Sequence, residues 1–348
     1  MNNKDLIIKL DKEKRLSRAE WVKLFETNDK EDRDFAAKLA CEISKNSFGN
    51  KIYMRGLIEI SNICKNDCLY CGIRKSQENV CRYRMSVEEI LDCCRVGYAS
   101  GFRTFVLQGG EDGHFNDEIL EEIIKSIKEK YPDCAITLSL GERSRESYQR
   151  LYNAGADRYL LRHETAIREH YEKLHPENMS FDTRMECLRN LKEIGFQTGC
   201  GMMIGSPYQT PENLAEDMLF IENFKPHMIG VGPFLPAKNT PFENERAGTL
   251  EETLFVVSLL RIMFPYVLLP ATTALGTLDP KGRQKAILSG ANVMMPNISP
   301  TENREKYALY NDKIGTGEDA ETSIENVVKA LGEIGYEPTV SRGDYCEK

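Results

Sequence analysis

The sequence has little histidine, no sustained apolar run and no excess of positive charge. Among its 348 residues there are five histidines and one tryptophan, and the net charge is −8. A duplex nucleic-acid binder needs a basic face to displace counterions from phosphates. Here Lys and Arg are interleaved with Asp and Glu, so nucleic acid is not an expected partner, and only a local basic pocket for a small anion stays open. The most apolar window, residues 254–270, is broken by Arg261 and Pro265. It is also shorter than the roughly 20 residues a membrane span needs. It reads as a buried helix followed by a buried strand, and no membrane association is expected. Residues 1–15 alternate charge with short apolar groups and lack the apolar core of a signal peptide, so a cytoplasmic location is expected.

Cysteine, in contrast, is abundant. Eleven is an odd number, in a long chain without an export signal. That pattern fits reduced thiols with a metal site better than a disulfide framework.

The first 50 residues read as helical, with Ser17 and Glu20 placed for a capping box and a loop at 44–50. Beyond Arg55, eight short apolar runs read as strands: 56–64, 104–110, 135–141, 158–164, 197–205, 228–234, 267–274 and 292–299. Helix-compatible segments separate them at 86–99, 116–128, 144–153, 166–194, 211–223, 250–263 and 280–288. Ser86 and Glu89 repeat the capping-box pattern. Such alternation implies parallel strands with helical crossovers. Eight units predict an α/β fold of the closed (β/α)8 TIM type, with chemistry at the C-terminal ends of the strands. An open doubly wound sheet is the alternative, and the eighth strand decides. The expected division is a helical segment at 1–50, a barrel at 51–300 and a C-terminal extension at 301–348 with one helix near 322–334.

Cys64, Cys68 and Cys71 follow the first strand in a C-x3-C-x2-C spacing. Three thiolates in so short a loop converge on one soft metal centre only if the loop wraps around it. Structural zinc takes four ligands, usually as paired clips. No second clip exists, and His170 and His175 stand alone. Ordinary ferredoxin clusters also take four cysteines. Three thiolates on a four-iron cluster leave one iron open, as a catalytic site requires. The spacing is similar to that of the radical S-adenosylmethionine (SAM) superfamily, in which SAM occupies the open iron and is cleaved reductively to a 5′-deoxyadenosyl radical. That resemblance implies one [4Fe–4S] cluster and SAM as cofactors. It gives Tyr70 an adenine contact, and Gly109, Gly110 and Glu111 the methionine amino group. Alone, Gly-Gly-Glu is an ordinary strand-end turn. Residues 201–205, including Ile204, resemble the adenine-contacting segment, and a plain buried strand is the alternative.

The strings LQGGED (107–112), TLSLGE (137–142), YLLRHET (159–165), PATTALGT (270–277) and GANVMMPN (290–297) are more specific. From about Tyr53 to Tyr310 the chain resembles the HydE family of [FeFe]-hydrogenase maturases, related to biotin synthase and methylornithine synthase. This implies an enclosed barrel cavity and SAM contacts from Ser139, Glu164 and Arg184. Ionised Glu164 is an acceptor suited to ribose hydroxyls or an ammonium, and Arg184 is a charge-assisted donor suited to a carboxylate. For any one of them a salt bridge is the plainer reading. The resemblance implies that Arg158, Arg162, Thr272, Thr273 and Tyr310 bind anionic groups of a small-molecule substrate, with Arg55 as an addition. The alternative for Arg158 and Arg162 is structural pairing with Asp157, Glu142 or Glu164. His163 reads as a packed, hydrogen-bonded histidine.

Many members carry three further cysteines for an accessory cluster. By local register those positions are Gly315, Ser323 and Asn326, and Cys346 stands alone, so a single cluster is expected. Implied partners are an electron donor such as a ferredoxin or flavodoxin, and other hydrogenase maturation proteins. Two other functions compete: a radical SAM mutase or sulfur-inserting enzyme, for which Cys134 and Cys200 could serve, and a non-enzymatic scaffold for iron fragments.

Overall fold

The computed structural model describes residues 1–346. Three helices open the chain: Asn3–Glu13, Arg18–Thr27 and Lys30–Phe48. Ser17 caps the second reciprocally with Glu20, as the sequence predicts. The third packs along Leu250–Met263 and the second along Pro211–Phe224. Arg261, the charge inside the apolar window, is fully buried. It donates to the carbonyls of Gly290 (2.8 Å) and Pro265 (2.7 Å) and to Asn292 Oδ1 (3.1 Å). Its buried donors are therefore satisfied, which is the condition for a buried arginine.

Among the described residues nine strands follow: β1 (Lys51–Met54), β2 (Gly56–Ser61), β3 (Thr104–Gly109), β4 (Ala135–Ser139), β5 (Arg158–Leu160), β6 (Gln197–Ile204), β7 (Met228–Pro233), β8 (Val293–Met294) and β9 (Glu337–Thr339). β2 to β7 form a parallel sheet in sequence order. Parallel bridges then carry the ring onward: Met228 to Leu268, Pro270 to Val293, and Asn297 back to Leu57 of β2. The barrel closes, with residues 268–270 as seventh stave and 293–297 as eighth. Helices including Val87–Ala99, Asp117–Lys130, Arg145–Ala154 and Phe181–Ile194 cover the outside.

Several expected boundaries move. The run 267–274 makes only two bridges before the chain turns into the helix Thr273–Leu278. Pro270 has no N–H to offer a ladder. The expected helix 166–194 breaks into Arg168–Leu174 and Phe181–Ile194. Pro176 drives the residue before it out of the helical region, and His175 is extended at φ −125°, ψ 154°. β1 and β9 are additions, and they pair with each other.

The C-terminal extension covers both barrel ends. At the mouth, the Leu309 carbonyl accepts from Gly72 N–H (2.8 Å), Asn311 N–H donates to the Pro236 carbonyl (3.0 Å), and Lys313 Nζ reaches Glu59 Oε1 (2.6 Å). At the base, residues 341–345 lie across the N-terminal strand ends. Arg342 O accepts from Thr104 Oγ1 (2.7 Å), and Tyr345 N–H donates to Gln197 Oε1 (2.8 Å). Met228, Leu268 and Val293 pack there with Tyr53 and Tyr345. Among the described residues, no helix is long and apolar enough to cross a membrane.

Candidate active site

The three cysteines lie on the loop that leaves β2, and that loop is held from several sides. Asn62 donates to the carbonyls of Cys81 (2.9 Å) and Lys306 (2.8 Å) and accepts from Tyr83 N–H (2.8 Å). Arg82 donates to the carbonyls of Asn62 (2.6 Å), Ile73 (2.9 Å), Arg74 (2.6 Å) and Gln77 (3.0 Å). One guanidinium thus ties both ends of the loop together. Asp67 accepts from Arg74 Nε (2.7 Å) and Ser76 N–H (3.0 Å). Gly110 has to be glycine: a Cβ there would lie 2.3 Å from Ile63 O and 2.8 Å from Cys64 Cβ. Burial pushes all three thiols up, Cys71 to about 12. Metal binding must release those protons. Among the described residues, no three His, Cys, Asp or Glu side chains converge on a single-ion position.

Around the thiols the structure gathers Tyr70, Glu111, Glu164 and Arg184. Tyr70 is pushed well above its ordinary value by burial, with Glu164 and Cys68 adding to it. Its hydroxyl lies 3.2 Å from His175 Nε2, and His175 Nδ1 lies 2.8 Å from Tyr171 O. Burial and then Arg184 bring His175 down to about 3, so this imidazole is neutral. Glu111 follows β3; its Oε1 accepts from Glu142 N–H (3.0 Å) and its Oε2 lies 3.1 Å from Lys65 Nζ. Ser139 and Gly109 end β4 and β3.

Glu164 has φ 65°, a left-handed conformation uncommon outside glycine. Its backbone is fixed there by its N–H to Gly201 O (3.0 Å), and its carboxylate faces Arg162 at 2.9 Å. Such strain persists only where the surroundings enforce it, and it concentrates at functional sites. Arg184 is buried and engaged: Nε donates to Glu142 Oε1 (2.6 Å) and Nη1 to Arg162 O (2.6 Å). Ile204 departs from expectation. Its side chain belongs to the main core, while its neighbour Met203 packs with Tyr70, Leu174, Phe234 and Phe242. Strand alternation puts neighbours on opposite faces, so Met203 faces the site.

The residues expected to hold a substrate divide into two groups. Arg162 Nε and Thr272 Oγ1 are buried without a hydrogen-bond partner, while Arg162 Nη2 and Glu164 Oε2 meet only each other, as an ion pair at 2.9 Å. Thr272 is the N-cap of Thr273–Leu278, yet its hydroxyl caps nothing. Opposite them are glycines. A Cβ on Gly230 would come 3.9 Å from Arg162 Cδ, and one on Gly232 3.4 Å from Thr272 Oγ1. Tyr310 is pushed up to about 12 by burial and lies near Thr277. Thr273 O accepts from Thr277 Oγ1 at 3.4 Å.

Arg158 and Arg55 are not gathered with this set. Arg158 begins β5, four residues before Arg162. At about 3.3 Å per residue that is about 13 Å along the strand. Its guanidinium is consumed by Asp344, Arg342 O (2.8 Å), Thr104 Oγ1 (3.1 Å) and Gln197 Oε1 (3.3 Å). Arg55 contacts Met228 Sδ (3.2 Å) and Gly343 O (3.4 Å). The structural pairing weighed for the two arginines is present at both: Arg158 pairs with Asp344 rather than Asp157, and Arg162 pairs with Glu164. His163 is packed as expected, accepting from Gly201 N–H (3.3 Å) and lying 3.3 Å from Asp217. Cys134 and Cys200 are each fully buried; Cys200 lies beside Asp217 of Pro211–Phe224.

Sequence reasoning passed over Arg82 and most of the interior glycines, and within 201–205 it singled out Ile204 rather than Met203. The glycines carried a signal: Gly199, Gly201, Gly230 and Gly232 recur at every second residue on two consecutive strands. Arg82 carried none, because its partners are backbone carbonyls.

A model of the radical SAM superfamily matches residues 58–221. The chain is 41% identical to the [FeFe] hydrogenase maturase subunit HydE of Thermotoga maritima, over 97% of this chain and 96% of that one. It is 28% identical to the 3-methylornithine synthase of Methanosarcina acetivorans, over 86% and 84%. The crystal structure of methylornithine synthase superposes with a TM-score of 0.84 at 27% identity, covering 96% and 97%. That of the maturase HydG gives 0.81 at 22% and shares the fold, covering 98% and 77%. The cradle fits a [4Fe–4S] cluster and SAM: three soft donors on a pinned loop, a glycine where a side chain would strike Cys64, and buried polar atoms awaiting partners. The chain is a radical SAM enzyme that uses these two cofactors, and it belongs to the HydE family.

Proposed function

We propose that this enzyme matures [FeFe]-hydrogenase, directing a 5′-deoxyadenosyl radical at a small anionic molecule containing iron and sulfur inside the barrel. The observation that carries the reading is the half-buried Arg162 guanidinium, whose Nε is buried without a hydrogen-bond partner and whose Nη2 meets only Glu164, on the face where Gly230 carries no side chain. Buried polar groups are otherwise paired, so this one is suited to a ligand.

Cys64, Cys68 and Cys71 would hold the cluster, which would supply the electron for reductive cleavage of SAM to methionine and a 5′-deoxyadenosyl radical. The chain's own side chains orient and shield. Glu164 accepts from ribose hydroxyls or the ligand's ammonium. Gly109, Gly110, Glu111 and Ser139 flank the methionine moiety, and Arg184, anchored by Glu142, directs its remaining donor capacity to the carboxylate. Tyr70, with Met203, Phe234 and Phe242, forms an apolar wall for adenine and keeps water away from the radical. Arg162 and Thr272 take the substrate's anionic groups, with Thr273 and Tyr310 beside them. Arg158 and Arg55 form the floor that holds the cavity's shape. A ferredoxin or flavodoxin supplies the electron, and other maturation proteins receive the product.

The test is a cell-free [FeFe]-hydrogenase maturation mixture lacking only this component, supplemented with anaerobically reconstituted protein. Hydrogen evolution and 5′-deoxyadenosine should both appear, and Cys68→Ala should give neither. Formation of 5′-deoxyadenosine without hydrogenase activation overturns the maturase reading in favour of a mutase. Activation without 5′-deoxyadenosine would point to a scaffold.

A further inference from the structure

We infer that the surface over Cys64 is the docking site of an acidic, low-potential electron-carrier protein bearing a flavin or an iron–sulfur group. The inference rests on reductive cleavage of SAM and is independent of which molecule receives the radical.

An electron must reach a centre that lies beneath the protein surface. Cys64 lines a surface pocket of about 590 Å³ whose rim carries Lys65, Lys75, Arg82, Arg84 and His114; Cys68 and Cys71 do not line it. Cys64 is therefore the thiol nearest to an outside donor on this wall.

The charge of the rim is opposite to that of the molecule. The pocket's lining holds four Lys or Arg and two Asp or Glu, a net of +2, in a chain of net −8. The layering of charge matters more than the count. Lys65 and Arg84 are paired with Glu111 and Asp112, but the side chains are 63% and 43% exposed against 9% and 1% for the carboxylates. Cations face outward and their counter-ions lie beneath. Arg82 spends its donors on four carbonyls, none of which cancels its charge. Lys75 is exposed. A predominantly acidic protein with one basic window orients an acidic partner onto that window, because like charge elsewhere repels it. The pairing also delivers the partner beside a cluster ligand. In the transfer, one electron leaves the carrier's cofactor and the cluster gains it, with no group or proton exchanged.

The experiment compares Lys75→Glu with Lys38→Glu, an equal charge reversal on the exposed face of the N-terminal helix Lys30–Phe48. Binding of the reconstituted enzyme to a bacterial flavodoxin is measured by calorimetry at low and high salt. Lysine footprinting by mass spectrometry maps the contact, and 5′-deoxyadenosine is assayed with flavodoxin or with dithionite as reductant. Lys75→Glu should weaken flavodoxin binding about 5- to 10-fold at low salt, an effect of the size of one steering charge. It should lower flavodoxin-driven turnover and leave dithionite-driven turnover unchanged. Lys65 and Lys75 should be protected in the complex. Equal weakening by Lys38→Glu, protection of lysines elsewhere, or an equal fall with dithionite would each overturn the proposal.

Discussion

Two arginines on one strand line, Arg158 and Arg162, point to the same side of the barrel wall and have opposite fates. At the base, Arg158 is fully buried and its donors end on Asp344, Arg342 O, Thr104 Oγ1 and Gln197 Oε1. Near the mouth, Arg162 is half-buried, its Nη2 is ion-paired with Glu164 at 2.9 Å, and its buried Nε has no hydrogen-bond partner. A guanidinium that folding satisfies is structure. One left short of partners, with the room in front of it kept by Gly230 and Gly232, is recognition. The C-terminal segment makes the difference: it fills the base with its own polar groups and only roofs the mouth.

The sharpest way to break this contrast is to remove each arginine's role separately. Arg162→Ala should lower hydrogenase maturation about 5- to 30-fold, corresponding to the roughly 1–2 kcal/mol expected when a charge-pair partner that is itself partly screened by solvent is lost. Its melting temperature should stay within a few degrees of the parent, and Arg162→Lys should recover part of the activity. A large thermal destabilisation with unimpaired maturation would make Arg162 a second Arg158.

At the base the expected outcome reverses. Asp344→Asn should cost about 1–3 kcal/mol of stability, less than a fully buried pair because Asp344 is about a third exposed. Cleavage of SAM by the protein that remains folded should be unaffected. The pH dependence has a definite sign. Burial alone would raise the Asp344 carboxyl, but Arg342 and Arg158 bring it down to about 2. A carboxyl depressed on folding contributes stability that is complete above its unfolded value near 4 and is lost as pH falls toward 2. Thermal melts between about pH 5 and 2 should therefore fall more steeply for the parent than for Asp344→Asn. Parallel curves would remove Asp344 from the base's electrostatics.

Alternation alone could not tell these arginines apart. Period two fixes which face a residue takes and says nothing of its depth, so Arg158 and Arg162 were equivalent in sequence. What separates them, residues 341–345, lies 184 to 186 positions from Arg158 at its contacts and binds through side chains and carbonyls with no apolar pattern to betray it. Local features were legible. The cysteine spacing, both capping boxes and the eight staves follow from short-range chemistry, the seventh shorter than its apolar run. The broken helix at Pro176 was written in the sequence and overlooked. Within residues 201–205 the Ile204 and Met203 side chains take opposite faces, and only Met203 packs beside Tyr70.

The smallest test addresses the room in front of Arg162. Gly230→Ala adds a methyl 3.8 Å from Leu160 and 3.9 Å from Arg162 Cδ, ordinary contact distances, so the fold should accept it. Gly201 is unsuitable for the same purpose, because a Cβ there would lie 2.0 Å from the Gly230 carbonyl oxygen. If the space is for substrate, Gly230→Ala should slow maturation about 3- to 10-fold, the scale of one methylene's worth of pocket fit. SAM would still be cleaved, since the added methyl faces Arg162 rather than the apolar wall around Tyr70. The ratio of 5′-deoxyadenosine formed to hydrogenase activated is therefore the quantity to read. It should rise as cleavage becomes uncoupled from substrate chemistry. If it stays constant while both rates fall, the glycines serve packing between β6 and β7, and Arg162 faces no ligand through them.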